Sequence, residues 1–129
     1  MADAATVTPK RLSTMGWHPH PTEIHFIEDE KILRITFSDD EQIDYDTRIL
    51  RGFCPCAMCQ GHGSRPHVWN EPDSEAAITV SDISQVGNYA MCIAWADGHN
   101  HGIYSWEFLR DIVDRPDELF EEWPPPSRE

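Results

Sequence analysis

Three of the chain's four cysteines, Cys54, Cys56 and Cys59, fall within one short stretch, LRGFCPCAMCQGHG (residues 50–63). Cysteines this close are awkward partners for structural disulfides, which need suitably separated and oriented Cα atoms. Metal or redox chemistry in a reducing compartment suits the spacing better. Thiolates bind zinc and iron–sulfur clusters tightly, and one tight loop carrying three of them gathers most of a tetrahedral shell with little loss of loop-closure entropy. Pro55 restricts φ inside the loop and helps to preorganise it. A closed zinc shell takes four ligands, so one more must come from elsewhere. By residue type the candidates are His62, His67, Cys92, His99 and His101. Cys92 lies between Ala90 and Ala94, where a cysteine reads as a small apolar core residue. His62 follows Cys59 by three positions and stands between two glycines, whereas His99 follows an Asp97-Gly98 turn. Spacing alone leaves both open.

With 129 residues the chain has the usual size of one domain. Its apolar content is ordinary and no low-complexity block dominates, which marks a folded sequence. No apolar run approaches the length of a membrane span, and the start, MADAATVTPKRLSTMGWHPHP, lacks the apolar centre of a signal peptide. A cytoplasmic protein with no membrane insertion is expected. The formal charge of -13, from 23 acidic against 10 basic residues, repels phosphate backbones, so no nucleic-acid partner is expected either. The acids are densest in residues 23–46, where nine of them face only Lys31 and Arg34. Solvated turns and strand edges account for such a run, and a docking face for a basic protein is the alternative.

Residues 1–20 read as a flexible tail that ends on His18-Pro19-His20. EIHFI (23–27), ILRITF (32–37) and QIDYD (42–46) then alternate with period two and are separated by polar turns, which predicts a three-stranded meander. TRILRGF (47–53) has helical spacing and suits one or two turns leading into the cysteines. Residues 60–76 are rich in turn formers and read as loop. Ile78 and Val80 predict a short strand, Gly87-Asn88 a turn, and Tyr89–Trp95 a strand with Tyr89, Met91, Ile93 and Trp95 on one face. Asp97-Gly98 signals a hairpin into Gly102-Ile103-Tyr104. Ser105 can cap a helix whose Trp106, Leu109, Ile112 and Val113 share a side, and Pro116 can open a short final helix, DELFEEW, before Pro124-Pro125-Pro126. The predicted fold is α+β, a small single domain of mainly antiparallel β-sheet with a packing helix near the C-terminus and a zinc-binding loop. The domain is expected over 21–113, with a short helix and a Pro-rich acidic tail over 114–129.

Taken in order, PTEI (21–24), ILRITFSDDEQIDY (32–45), LRGFCPCAMC (50–59) and ITVSDISQVGNYAMCIAWADGHNHGIYSWEFLR (78–110) carry a resemblance to a known family. The chain resembles a stand-alone, cysteine-containing member of the gamma-butyrobetaine hydroxylase-like N-terminal domain family. The most specific pieces are LR-x-x-CPC-x-x-C and VGNYA…W-x-DGH-x-x-GIYSW. The family is a small α+β module, found alone in many bacteria and at the front of carnitine-biosynthesis dioxygenases. A form of it also trails some Mrp-type P-loop proteins that handle iron–sulfur clusters. Many lone members lack the cysteines, so the fold does not require metal. In the dioxygenases that keep them, a structural zinc is bound by three cysteines and a histidine after the late strand. Carried onto this sequence, the resemblance implies Cys54, Cys56, Cys59 and His99 as metal ligands, with His62 as the alternative fourth ligand.

Oxygenase activity does not carry over. It belongs to a separate jelly-roll domain that holds iron with a His-x-Asp…His set, and none of the seven histidines here begins a His-x-Asp. No paired carboxylates or Ser-His set mark a catalytic pocket. The expectation is a non-enzymatic zinc-binding module that contacts a protein partner or serves as an accessory subunit. An accessory in iron–sulfur or redox handling, using the same cysteines, is the alternative. The acidic surface, Phe120 and Trp123 are candidate contact elements, although a tail that folds back on its own core accounts for the two aromatics equally well.

Overall fold

A computed structural model describes residues 19–60 and 67–126. The period-two stretches form β1 (Pro21–Ile27), β2 (Ile32–Phe37) and β3 (Gln42–Asp46), an antiparallel meander with strand order β1-β2-β3. Alternation along β2 sends Leu33, Ile35 and Phe37 to one face, where they are fully buried beside Tyr45 of β3. Pairing begins one residue before β1, since the Ser38 N–H donates to the His20 carbonyl over 2.8 Å. Lys31 and Asp40, at the two turns, take positive φ angles of 54° and 71°.

At the end of β3 the Asp46 carboxylate accepts the Arg48 N–H over 2.9 Å and caps α1 (Thr47–Gly52). A single further turn, α2 (Ala57–Gln60), carries the last cysteine of the cluster. The second half of the chain is another antiparallel meander, β4 (Val80–Val86), β5 (Ala90–Trp95) and β6 (Gly102–Ser105). The sequence pattern predicts a short strand at Ile78–Val80. Instead, Ala76–Ile78 form a 3₁₀ turn and the strand runs on to Val86. The reason is a register shift at Val80/Asp82 that leaves Val80, Ile83 and Val86 half-buried at intervals of three, so the period-two signal is lost. Along β5, Met91, Ile93 and Trp95 are buried as expected, but Tyr89 stands before the strand and is 55% exposed.

The Ser105 hydroxyl accepts the Phe108 N–H over 3.0 Å and caps α3 (Trp106–Asp114). Trp106, Leu109 and Ile112 face inward, whereas Val113 lies off that stripe and is 48% exposed. Both meanders and α3 share one core, and the Tyr45 hydroxyl donates to the Leu109 carbonyl over 2.9 Å to join the first sheet to the helix. The last helix, α4 (Pro116–Leu119), is shorter than DELFEEW implies. Phe120 leaves it in extended conformation because its ring stacks on Phe53, with centroids 3.8 Å apart, and its neighbours pair with His67. Phe120 is therefore a core residue and not a surface contact element. Among the described residues no helix is long and apolar enough to cross a membrane.

Candidate metal centre

The cysteine loop leaves α1 through Phe53, which is fully buried, and the Cys54 N–H donates to the Arg51 carbonyl over 3.1 Å. The Cys56 carbonyl accepts the N–H groups of Cys59 and Gln60 over 3.2 and 3.0 Å, and this turn folds Cys59 back beside Cys56. Gln60 is a buried amide with no charge to solvate. Its Nε2 donates to the carbonyls of Cys54 and Val68 over 3.0 Å each, and its Oε1 accepts the Val68 N–H over 2.6 Å. Asn70 Nδ2 donates to the Cys59 carbonyl over 2.9 Å. Residues 67–70 thus brace the loop from outside.

His99 arrives from the other sheet. Gly98 takes φ 98°, a conformation that favours glycine, and its N–H donates to the Trp95 carbonyl over 2.9 Å. The Asp97 carboxylate accepts the His99 N–H over 3.1 Å, while the Trp95 N–H donates to the His99 carbonyl over 2.8 Å. Arg51 pairs with Asp97 at 3.0 Å and donates to the Ala77 carbonyl over 3.0 Å, which ties α1 to this hairpin. Gly102 completes the approach: a Cβ there would stand 2.7 Å from Cys54 Sγ and 3.0 Å from the Tyr104 ring.

His99 Nε2 consequently lies 3.4, 3.6 and 3.7 Å from the sulfurs of Cys54, Cys56 and Cys59. All four ligand atoms fall within 4.8 Å of one another. One imidazole nitrogen has a single hydrogen or a single lone pair, so it cannot hydrogen-bond three sulfurs at once. Near-equal distances to all three are what a shared ion requires: tetrahedral bonds of the length zinc makes to nitrogen and sulfur give an N···S edge of about 3.6 Å. The donor set fits a metal ion of that kind.

The local electrostatics agree. Burial pushes the Cys54 and Cys59 thiols up from their ordinary range, so they stay protonated unless a cation compensates them. Burial lowers the His99 imidazole, which keeps it neutral at neutral pH and able to offer a lone pair. Burial tends to raise the Asp97 carboxyl, but the His99 N–H and the Arg51 guanidinium outweigh it and hold the group below the usual carboxylate range. Tyr104, fully buried beside Cys54, is raised by burial and keeps its proton, which it donates to the Leu50 carbonyl over 2.7 Å.

The other candidates stand apart. Cys92 is half-buried on the outer side of β5 and donates to the Asn100 carbonyl over 3.3 Å. His101 is exposed, its ring 5.4 Å from that of His99. His67 packs edge-on against Phe108 at 5.1 Å. His62 lies outside the described residues. Sequence reasoning missed the bracing by Arg51, Gln60, Asn70 and Gly102. Only Asp97 left a readable signal, since an aspartate two residues before a histidine at a turn can bond its N–H.

A family model for the gamma-butyrobetaine hydroxylase-like N-terminal domain matches residues 24–110. The chain belongs to this family. The match covers the end of β1, strands β2–β6, the cysteine loop, the His99 hairpin and the start of α3. Among solved structures, the chain is similar to a protein of unknown function from Acidithiobacillus ferrooxidans ATCC 23270, described as a DUF971 family member. That crystal structure, at 1.93 Å resolution, is 28% identical with a TM-score of 0.52, over 72% of this chain and 91% of the other. A protein solved by NMR is 28% identical with a TM-score of 0.57, over 74% of this chain and 69% of the other. A second NMR structure, 24% identical with a TM-score of 0.55 over 80% and 79%, shares the fold. No curated protein matches the chain significantly.

Proposed function

We propose that this family member is a non-catalytic zinc-binding module of the cytoplasm that acts as an interaction or accessory subunit contacting another protein. The observation that carries the zinc reading is the single His99 nitrogen within 3.4–3.7 Å of three cysteine sulfurs. Cys54, Cys56, Cys59 and His99 would hold the ion. Three thiolates and an imidazole close a tetrahedral shell, whereas catalytic zinc keeps a position for water. What the ion supplies here is a cross-link between the loop after α1 and the hairpin of the second sheet, with no reacting group bound to it.

The alternative is an iron–sulfur or redox accessory protein built on the same cysteines. A cluster of several irons and sulfides sets its protein ligands farther apart than one ion does, and ligand atoms all within 4.8 Å favour one ion. Elemental and optical analysis of anaerobically purified protein separates the two. About one zinc per chain without visible absorbance is the expected result. A brown protein containing iron and sulfide would overturn the zinc reading.

A further inference from the structure

Residues 67–70 touch two things at once. On one side Gln60 and Asn70 bond them to the cysteine loop. On the other, His67 pairs with the chain's end: its N–H donates to the Leu119 carbonyl over 2.9 Å, and its carbonyl accepts the Glu121 N–H over 2.8 Å. Past α4 the chain then runs as a strap. Phe120 stacks on Phe53, the residue immediately before Cys54, and Trp123 lies 5.4 Å from Phe120 and 6.3 Å from Phe53. Arg48 of α1, paired with Glu71, donates to the Pro126 carbonyl over 2.6 Å.

We infer that metal at the Cys54, Cys56, Cys59 and His99 centre seats the C-terminal strap, Phe120–Pro126, and that loss of the metal loosens it from the rings of Phe53 and Phe108. This rests on the metal reading given above and adds a regulated surface to it. The physical reason is the thinness of the support. Among the described residues, the far side of the cysteine loop is held by the Gln60 and Asn70 side chains, and the strap's ring contacts and backbone pairing fall on Phe53, which adjoins that loop, on His67, which adjoins its brace, and on Phe108. The two sheets are held by their own strand pairing and by Leu33, Ile35, Phe37, Met91 and Ile93 of the shared core, so they should stay folded without the metal. Coupling of this kind is reciprocal: if metal steadies the strap, the strap must raise the affinity for metal by the same factor.

Two measurements on the full chain test it. Amide hydrogen exchange is compared between zinc-loaded and chelator-stripped protein. The His67 and Glu121 amides should exchange about tenfold faster or more without zinc, while Ile35 and Ile93 keep their protection. Second, Trp123→Ala, at a partly exposed position that leaves the core intact, should bind zinc several-fold more weakly than the unaltered chain in equilibrium competition with a chromogenic chelator. Unchanged exchange at His67 and Glu121, exchange that rises equally in the sheets, or unchanged zinc affinity in Trp123→Ala each overturns the inference while leaving the zinc reading intact. A chain that takes up no zinc fails at the earlier step and overturns both.

Discussion

In the β1–β3 meander the inward side chains are apolar and the backbone is paired strand to strand, whereas the cysteine loop and residues 67–70 are held by polar side chains reaching for backbone atoms. The first arrangement distributes its stability over a buried face, where each side chain contributes through the area it removes from water. The second concentrates it on a few bonds, each worth about 0.5–1.5 kcal/mol net. A bound ion would change the second region more than the first, because its binding free energy would be added where fewer apolar side chains hold the chain. One molecule thus joins a scaffold that folds by hydrophobic burial to a site whose order, on the proposal above, would depend on a bound ion.

Substitutions can break that contrast from either side. The largest effect belongs to the scaffold. Phe37→Ala, at a fully buried position, should cost about 3–5 kcal/mol in urea unfolding. The fraction that remains folded should bind zinc at the original stoichiometry, and loss of zinc from folded Phe37→Ala would show that the two regions are not separable. Gly102→Ala acts at the centre itself. The added methyl group would lie 2.7 Å from Cys54 Sγ, so it should cost about 1–3 kcal/mol in strain and move that sulfur. Zinc affinity, measured by chelator competition, should fall by about tenfold or more, as for other changes behind metal ligands.

Asp97→Asn should have the smallest effect on stability, about 0.5–1 kcal/mol for a partly exposed ion pair. Its signature is the pH dependence. The Asp97 carboxyl sits below its ordinary range when folded, so its stabilisation is present at neutral pH and is lost as pH falls through that lowered value. The asparagine variant should therefore show a shallower decline in stability below about pH 4 than the unaltered chain. Identical acid limbs would remove Asp97 from the account of how His99 is held.

The same contrast governs how much could be read from the sequence. Ile, Leu and Phe alternating along β2 signal a strand because alternation is the pleat seen in one dimension, and Ser105 signals a helix start because its hydroxyl suits an N-cap. β4 was only partly legible, since its register shift replaces alternation with a period of three. The strap was hidden for a different reason. Phe120 and Trp123 continue a helical pattern, and only the backbone pairing at His67 and the ring of Phe53 draw the chain out of it. Of the site, the three cysteines are plain from their spacing, while His99 came from family resemblance because a ligand some forty residues away leaves no local trace. Gln60 and Gly102 act through single contacts that no pattern in one dimension encodes.

The central claim is that the cysteine loop is closed by a histidine from the opposite sheet and not by one of its own. The most direct measurement is zinc content per chain in His99→Ala and His62→Ala, each purified anaerobically beside the unaltered protein. The account predicts that His99→Ala loses most of its zinc and that His62→Ala keeps about one ion per chain. Full zinc in His99→Ala with loss in His62→Ala would contradict it.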